Sequence, residues 1–235
     1  MVVRLFVDDE LSVDADVALV DNQHHYLAHV MRSEIGDAVL LFNGKDGEWS
    51  AVIEDISKKK TLLKIEKQTR KQNEENLSDV WLCFSLIKKE NMHLIIQKAT
   101  ELGVSVLQPV ISHRSVVSNV SVEKMRLQAI EAAEQSERLS VPQINEAISM
   151  KKMIENWDLD RKLYFLDERG EGEILVHSSK VAYLVGPEGG FDIQELDLMR
   201  GLKFATPLHF GRRILRAETA CFAVLSVHNY LSGWH

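Results

Sequence analysis

The sequence has no run of about 18 consecutive apolar residues, the length an ordinary membrane-spanning helix requires. Its first twenty residues set a single basic residue, Arg4, against Asp8, Asp9, Glu10, Asp14 and Asp16, and so lack the basic and apolar regions of a secretory signal. The expectation is a cytoplasmic protein without membrane attachment. Cysteine is scarce. Cys83 and Cys221 are the only two, each inside an apolar run, which excludes a disulfide framework and points to buried, reduced thiols. An excess of positive charge is also missing: the net charge is -7, and on either side of residue 75 Lys and Arg number 10 against 15 acidic residues, then 18 against 20. Tight non-specific binding to nucleic acid is therefore not expected from bulk electrostatics. No glycine-rich loop carries the Lys-Ser/Thr of a Walker motif or the spacing of a dinucleotide fingerprint, which disfavours phosphate cradling.

What remains is an ordinary globular composition, 235 residues with 45% apolar, enough for one large or two modest domains. The first seventy residues alternate short β-rich runs (Val2–Val7, Ala38–Phe42, Ser50–Ile56, Thr61–Gln68) with turn signals such as Asn43–Gly47, and one helix over Asn22–Arg32 interrupts them. The polar stretch Arg70–Asp79 reads as a linker, with domains at 1–72 and 76–235. Beyond it the periods alternate. Strands are expected at Val80–Ile87, Val104–Val110, Lys162–Leu166, Lys180–Val185 and Ala205–Leu208, and helices through Met92–Leu102, Val122–Arg138, Ile193–Arg200 and about Leu215–Leu231. This is α/β patterning, with a mostly parallel sheet covered by helices.

Two loops stand out. Strand Val181–Val185 runs into Gly186-Pro187-Glu188-Gly189-Gly190, where three glycines allow backbone to approach a ligand beyond the carboxyl end of a strand. The following helix has Asp192 as N-cap, Glu195 closing a capping box, and Phe191 with Leu196 as a hydrophobic staple. One strand later, Gly211–Ala220 places Arg212, Arg213 and Arg216 at a helix entry, where the macrodipole disfavours cations unless they meet an anion, a carboxylate such as Glu218, or a partner. The basic cluster Lys58, Lys59, Lys60, Lys64, Lys67, Arg70 and Lys71 reads by itself as a solvated charged face. His24, His25 and His29 have no Cys or Glu at ligand spacing beside them, so no metal site is expected.

The loops GPEGGF (Gly186–Phe191) and G-x-R-I-L-R-x-E-T-A (Gly211–Ala220) resemble the signature loops of the SPOUT methyltransferases, and the match is strongest to the RsmE family of 16S ribosomal RNA uracil-N3 methyltransferases. Gln97–Val104, Arg114–Val116, Glu131–Ser136 with Arg138, and in the first domain His24–Leu27, Val30–Arg32, Gly36-Asp37 and Phe42–Gly44 extend the likeness over nearly the whole chain. Three positions depart from the common family pattern: Arg212 for proline, Glu137 for glycine and Phe210 for leucine.

The resemblance implies a small PUA-like β-barrel domain followed by a SPOUT α/β domain tied in a C-terminal trefoil knot. It further implies a homodimer that uses S-adenosylmethionine to methylate N3 of a specific uridine in 16S rRNA of the small ribosomal subunit. Cofactor contacts would come from Leu184, Val185, Gly186, Glu188, Gly189, Gly190, Leu208, Gly211, Ile214 and Leu215. Arg138, Arg216 and Glu134 would carry catalysis, since removal of the uracil imide proton calls for a cation to stabilise the anion or a carboxylate to accept the proton. His25, Arg32, Arg114 and Arg213 would contact RNA. Another RNA position, or a non-catalytic RNA-binding factor, are the alternatives, and the intact loops weigh against the second.

Overall fold

The computed structural model describes residues 2–75, 79–167 and 180–233. The chain forms two compact units: Met1–Asn76 together with Ala133–Val141, and Leu77–Ala132 together with Pro142–His235.

In the first unit, β1 (Val3–Phe6), β2 (Asp16–Val20), β3 (Ala38–Phe42), β4 (Glu48–Ile56) and β5 (Lys60–Arg70) form one sheet in the order β1-β3-β4-β5-β2. β1 pairs parallel to β3 and the other ladders are antiparallel. Alternation of burial in β2 and β5 sends Val17, Leu19, Leu63 and Ile65 to one face, where they meet Leu5, Leu27, Leu41 and Ile53 in a closed apolar core. The sequence does not announce β2, because only two of its five side chains are buried and an Asp opens it. The expected helix over Asn22–Arg32 is two pieces, α1 (Asp21–His25) and a π-helical turn (Tyr26–Met31), ended by Arg32 in the left-handed region at φ 56°. The expected linker is shorter than the polar composition indicated: β5 continues through Arg70 and a 3₁₀ turn occupies Gln72–Glu74. Positions 76–78 of that linker lie outside the described residues.

The second unit holds β6 (Asp79–Ser85), α2 (Lys89–Glu101), β7 (Val106–Ile111), most of α3 (Val122–Gln135), β8 (Gln143–Ile144), β9 (Ile148–Ser149), α4 (Met150–Glu155), β10 (Lys162–Leu166), β11 (Lys180–Val185), α5 (Ile193–Arg200), β12 (Ala205–Leu208) and α6 (Ala217–Ser232). Its sheet runs β12-β10-β11-β6-β7-β8, with β9 also on β7, and every ladder is parallel. Near-continuous burial along β6 and β11 is what a sheet covered on both faces requires. On one face Cys83, Leu163, Phe165, Ala182 and Leu184 pack with Met150 and Met153 of α4 and Leu196 and Met199 of α5. α6 packs on β11, where the Tyr183 hydroxyl meets His228 Nδ1 at 2.8 Å, and Asn229 Nδ2 of α6 donates to the Leu102 carbonyl at the end of α2. Where the amino ends of β6, β10 and β12 lie, Arg161 is buried over the Trp81 ring and bonds both carboxylate oxygens of Asp79 at 2.9 and 2.7 Å. Parallel strands leave their carboxyl ends together at the opposite edge, where the two glycine-bearing loops emerge.

α6 begins at Ala217, two residues later than the apolar pattern indicated. α3 stops at Gln135, three residues short of the expected end, because Glu137 is left-handed at φ 59° and Arg138 therefore leaves the helix.

Candidate functional site

A cleft opens at the carboxyl ends of β10, β11 and β12. Its walls are apolar: Leu166 from β10, Val185 from β11, Phe191 and Leu196 around the start of α5, Leu208 from β12, and Ile214, Leu215, Ala217 and Ala220 around the start of α6. Asp167, Glu188, His209, Arg213 and the main chain of Gly186, Gly190 and Gly211 add polar groups.

Local chemistry shapes both loops. β11 ends at Val185 because Gly186-Pro187 cannot continue the ladder. The chain then turns through a bond from the Gly190 N–H to the Pro187 carbonyl (2.8 Å), with Gly190 at φ 67°, a conformation that favours glycine. A capping box holds the far side: the Glu195 N–H donates to Asp192 Oδ1 (2.9 Å) and the Asp192 N–H donates to Glu195 Oε2 (3.1 Å). The Asp192 carboxyl is held below the usual carboxylate range, first by that Glu195 N–H and then by nearby His113. In the second loop Gly211 is left-handed at φ 77°, and Arg216 is the N-cap of α6 without a side-chain capping bond.

Of the residues expected to hold a cofactor, Val185, Gly186, Glu188, Gly190, Leu208, Gly211, Ile214 and Leu215 line the cleft. Leu184 does not: strand alternation turns it into the core beneath, where it is fully buried. Gly189 is not among the residues that line the cleft, and its carbonyl accepts a bond from Arg114 Nη1 at 2.8 Å. Arg213, expected on RNA, lies in the lining itself. Leu166 and Asp167 also line the cleft, and no motif in the sequence marks them. The signal was there in the strand Lys162–Leu166, whose carboxyl end had to join the same edge.

The arginines divide into two kinds. Arg212, Arg213 and Arg216 are exposed, and none of them makes a hydrogen bond or ion pair among the described residues, so the suspected Arg216–Glu218 pair is not formed. Glu218 is 7% exposed, and its Oε2 has no hydrogen-bond partner among the described residues. The positive end of the α6 macrodipole is what favours a carboxylate there. Arg138, 8% exposed, sits instead in a polar network of the first unit: its Nη2 donates to Ser140 Oγ (3.1 Å), Glu75 Oε1 lies 3.6 Å from its Nε, and its carbonyl accepts from Arg4 (2.5 Å). Burial pulls its guanidinium below the ordinary value, with Glu75 opposing. Glu134 Oε1 accepts the Phe6 N–H at 3.0 Å.

On the first unit His25 and His29 are exposed with their rings edge to face at 5.1 Å, and Arg32 is exposed beside them in sequence. His24 is buried against the Thr61 hydroxyl at 2.9 Å. Lys58 and Lys59 lie exposed on the turn between β4 and β5, and Lys60 is exposed at the start of β5.

Comparison with known proteins gives a consistent picture. Residues 73–229 match the RNA methyltransferase domain family and residues 19–66 the RNA methyltransferase PUA domain family. Ribosomal RNA small subunit methyltransferase E of Rickettsia conorii is 33% identical over 230 residues, covering 95% of this chain and 93% of the relative. A Legionella pneumophila protein solved in complex with the cofactor SAM superposes with a TM-score of 0.88 at 27% identity, covering 98% of each chain. The Neisseria gonorrhoeae ribosomal RNA small subunit methyltransferase E, bound to S-adenosyl methionine, gives 0.85 at 27% identity, again over 98% of each.

Proposed function

The chain belongs to the RNA methyltransferase family, with that family's PUA domain ahead of the methyltransferase domain, and on that premise we propose that it methylates N3 of a specific uridine in 16S rRNA of the small subunit, using S-adenosylmethionine. The cleft at the carboxyl edge of the parallel sheet carries the proposal. It suits the cofactor in kind. Leu166, Leu208, Ile214 and Leu215 offer apolar walls to a purine, the glycine main chain of both loops offers donors and acceptors, and Glu188 and Asp167 offer carboxylates to hydroxyl or cationic groups. Bound there, the cofactor supplies an electrophilic methyl group on a sulfonium sulfur.

The protein's own task is alignment and charge. N3 of neutral uracil carries a proton, and methylation requires that proton to leave and the resulting imide anion to be stabilised. The set that family resemblance implies for catalysis is Arg138, Arg216 and Glu134. Within it Arg216 is the side chain with uncommitted donors, standing one residue before α6 beside the cleft-lining Leu215 and Ala217. Its positive charge suits the anion, and no internal salt bridge has to break first. The bonds of Glu134 and Arg138 within the first unit suit a role in holding segment 133–141 in place. RNA would be held by His25, Arg32 and Arg213, through stacking and phosphate contact. A cytoplasmic homodimer with the loops 186–190 and 208–215 tied in a trefoil knot completes the proposal.

Methyl transfer from labelled cofactor to small ribosomal subunits lacking this modification, followed by nucleoside mass spectrometry, tests it. N3-methyluridine is the expected product. A different methylated nucleoside would replace the substrate assignment, and no product with bound cofactor would point to another RNA.

A further inference from the structure

The turn after β7 is bonded to the first cofactor loop at one place and to the α5 cap that follows it at two, although 75 to 82 residues of chain separate the hydrogen-bonded partners. It is a rigid turn: the Ser112 N–H donates to Ser115 Oγ (2.9 Å) and the Ser115 N–H to the Ser112 carbonyl (3.1 Å). From it the His113 N–H donates to Glu195 Oε1 (2.7 Å), His113 Nδ1 lies 2.6 Å from Asp192 Oδ2, and Arg114 Nη1 donates to the Gly189 carbonyl (2.8 Å). Glu195 is thus shared, one oxygen closing the capping box and the other holding the turn.

The Arg114 bond falls on a vulnerable peptide. The Gly189 carbonyl and the Gly190 N–H belong to one planar unit and point in opposite directions. A glycine on each side leaves that unit almost free to flip. Here both ends are tied, the N–H to the Pro187 carbonyl and the carbonyl to Arg114, whose stem lies where a Cβ on residue 189 would meet it at ordinary contact distance. Gly190 lines the cleft, so the orientation of this peptide is part of the cofactor site.

We infer that Arg114 is a positioning residue for the cofactor loop, rather than the RNA contact that family resemblance assigned it, and that it latches the Gly189–Gly190 peptide in the orientation that accepts S-adenosylmethionine. The inference rests on the proposed cofactor site. One charge-assisted hydrogen bond corresponds to about a tenfold change in affinity.

Calorimetric titration of S-adenosylmethionine into the full chain and into Arg114→Ala should show about tenfold weaker binding in the variant, with Arg114→Lys recovering part of the loss, because an ammonium can make the bond without the fork. Amide exchange in the peptide spanning 186–191 should speed up in Arg114→Ala while exchange in β6 and β11 stays unchanged, which separates loop release from unfolding. With saturating cofactor, the KM for small subunits should stay within about twofold of wild type. Equal cofactor affinities in wild type and Arg114→Ala, or a raised KM for the subunit with cofactor binding intact, would overturn the inference and leave the cofactor site standing. A wild-type chain that binds no S-adenosylmethionine would overturn both.

Discussion

Replacing Glu137 by glycine should stabilise the protein even though it removes a side chain. α3 ends in a Schellman arrangement: the Arg138 N–H reaches back to the Ala133 carbonyl (3.2 Å), which requires the residue between helix and exit, Glu137, to be left-handed, and it is, at φ 59°. An L side chain in that conformation costs about 1–2 kcal/mol, and glycine returns about 0.5–1 kcal/mol of this through its greater freedom in the unfolded chain. The net expectation is a gain of about 0.5–1 kcal/mol. Little is lost in exchange. The Glu137 side chain is exposed, and the bond it does make, from Arg70 Nη1 at 2.8 Å, is to its backbone carbonyl, which glycine keeps. For a chain of this size the gain corresponds to a rise in melting temperature of roughly 1–4 °C. Urea unfolding and scanning calorimetry of wild type, Glu137→Gly and Glu137→Ala would separate backbone from side chain, since alanine removes the carboxylate but keeps the strain. Glu137→Gly no more stable than Glu137→Ala would refute the reasoning.

Arg216→Ala should lower kcat by about 10²–10³ and leave cofactor affinity nearly unchanged, the pattern for loss of one group that stabilises a developing anion; a loss confined to KM would remove Arg216 from the chemistry. Cys83 and Cys221 are fully buried, and burial pushes the Cys83 thiol up to about 12, so neither should react with a thiol reagent in the native state and both should react in denaturant. Rapid native labelling would contradict that packing. The folded Asp192 carboxyl is depressed, so its contribution is complete above its ordinary value of 3.8 and is lost as pH falls through the lower folded value. Asp192→Asn should therefore show a shallower loss of stability than wild type on acidification below about pH 4, measured by denaturant unfolding, and parallel curves would exclude the effect.

The parts of the fold that were readable in the sequence are those whose determinants are local. The Gly186–Gly190 turn, the Asp192 and Glu195 capping box and the buried run of β11 each declare themselves within a dozen residues. β2 did not, because a five-residue strand with two buried side chains has no period to detect. Segment 133–141 was legible as a motif but not in its company. Its bonds go to Arg4 and Phe6, which lie more than 120 residues away in sequence, so nothing near Arg138 hints that the first unit claims it. The candidate site shows the same division. The loop residues from Val185 to Gly190 and from Leu208 to Leu215 were recognisable as motifs, whereas Asp167 and the Arg114 bond to Gly189 depend on which strands end side by side.

S-adenosylmethionine is proposed to bind in the cleft between the loops after β11 and β12. Hydrogen exchange followed by mass spectrometry, with and without saturating cofactor, addresses it residue by residue. Exchange should slow in peptides covering 185–191 and 208–220 and change little in β3 to β5. Protection confined to other segments, or no protection at any cofactor concentration, would contradict it.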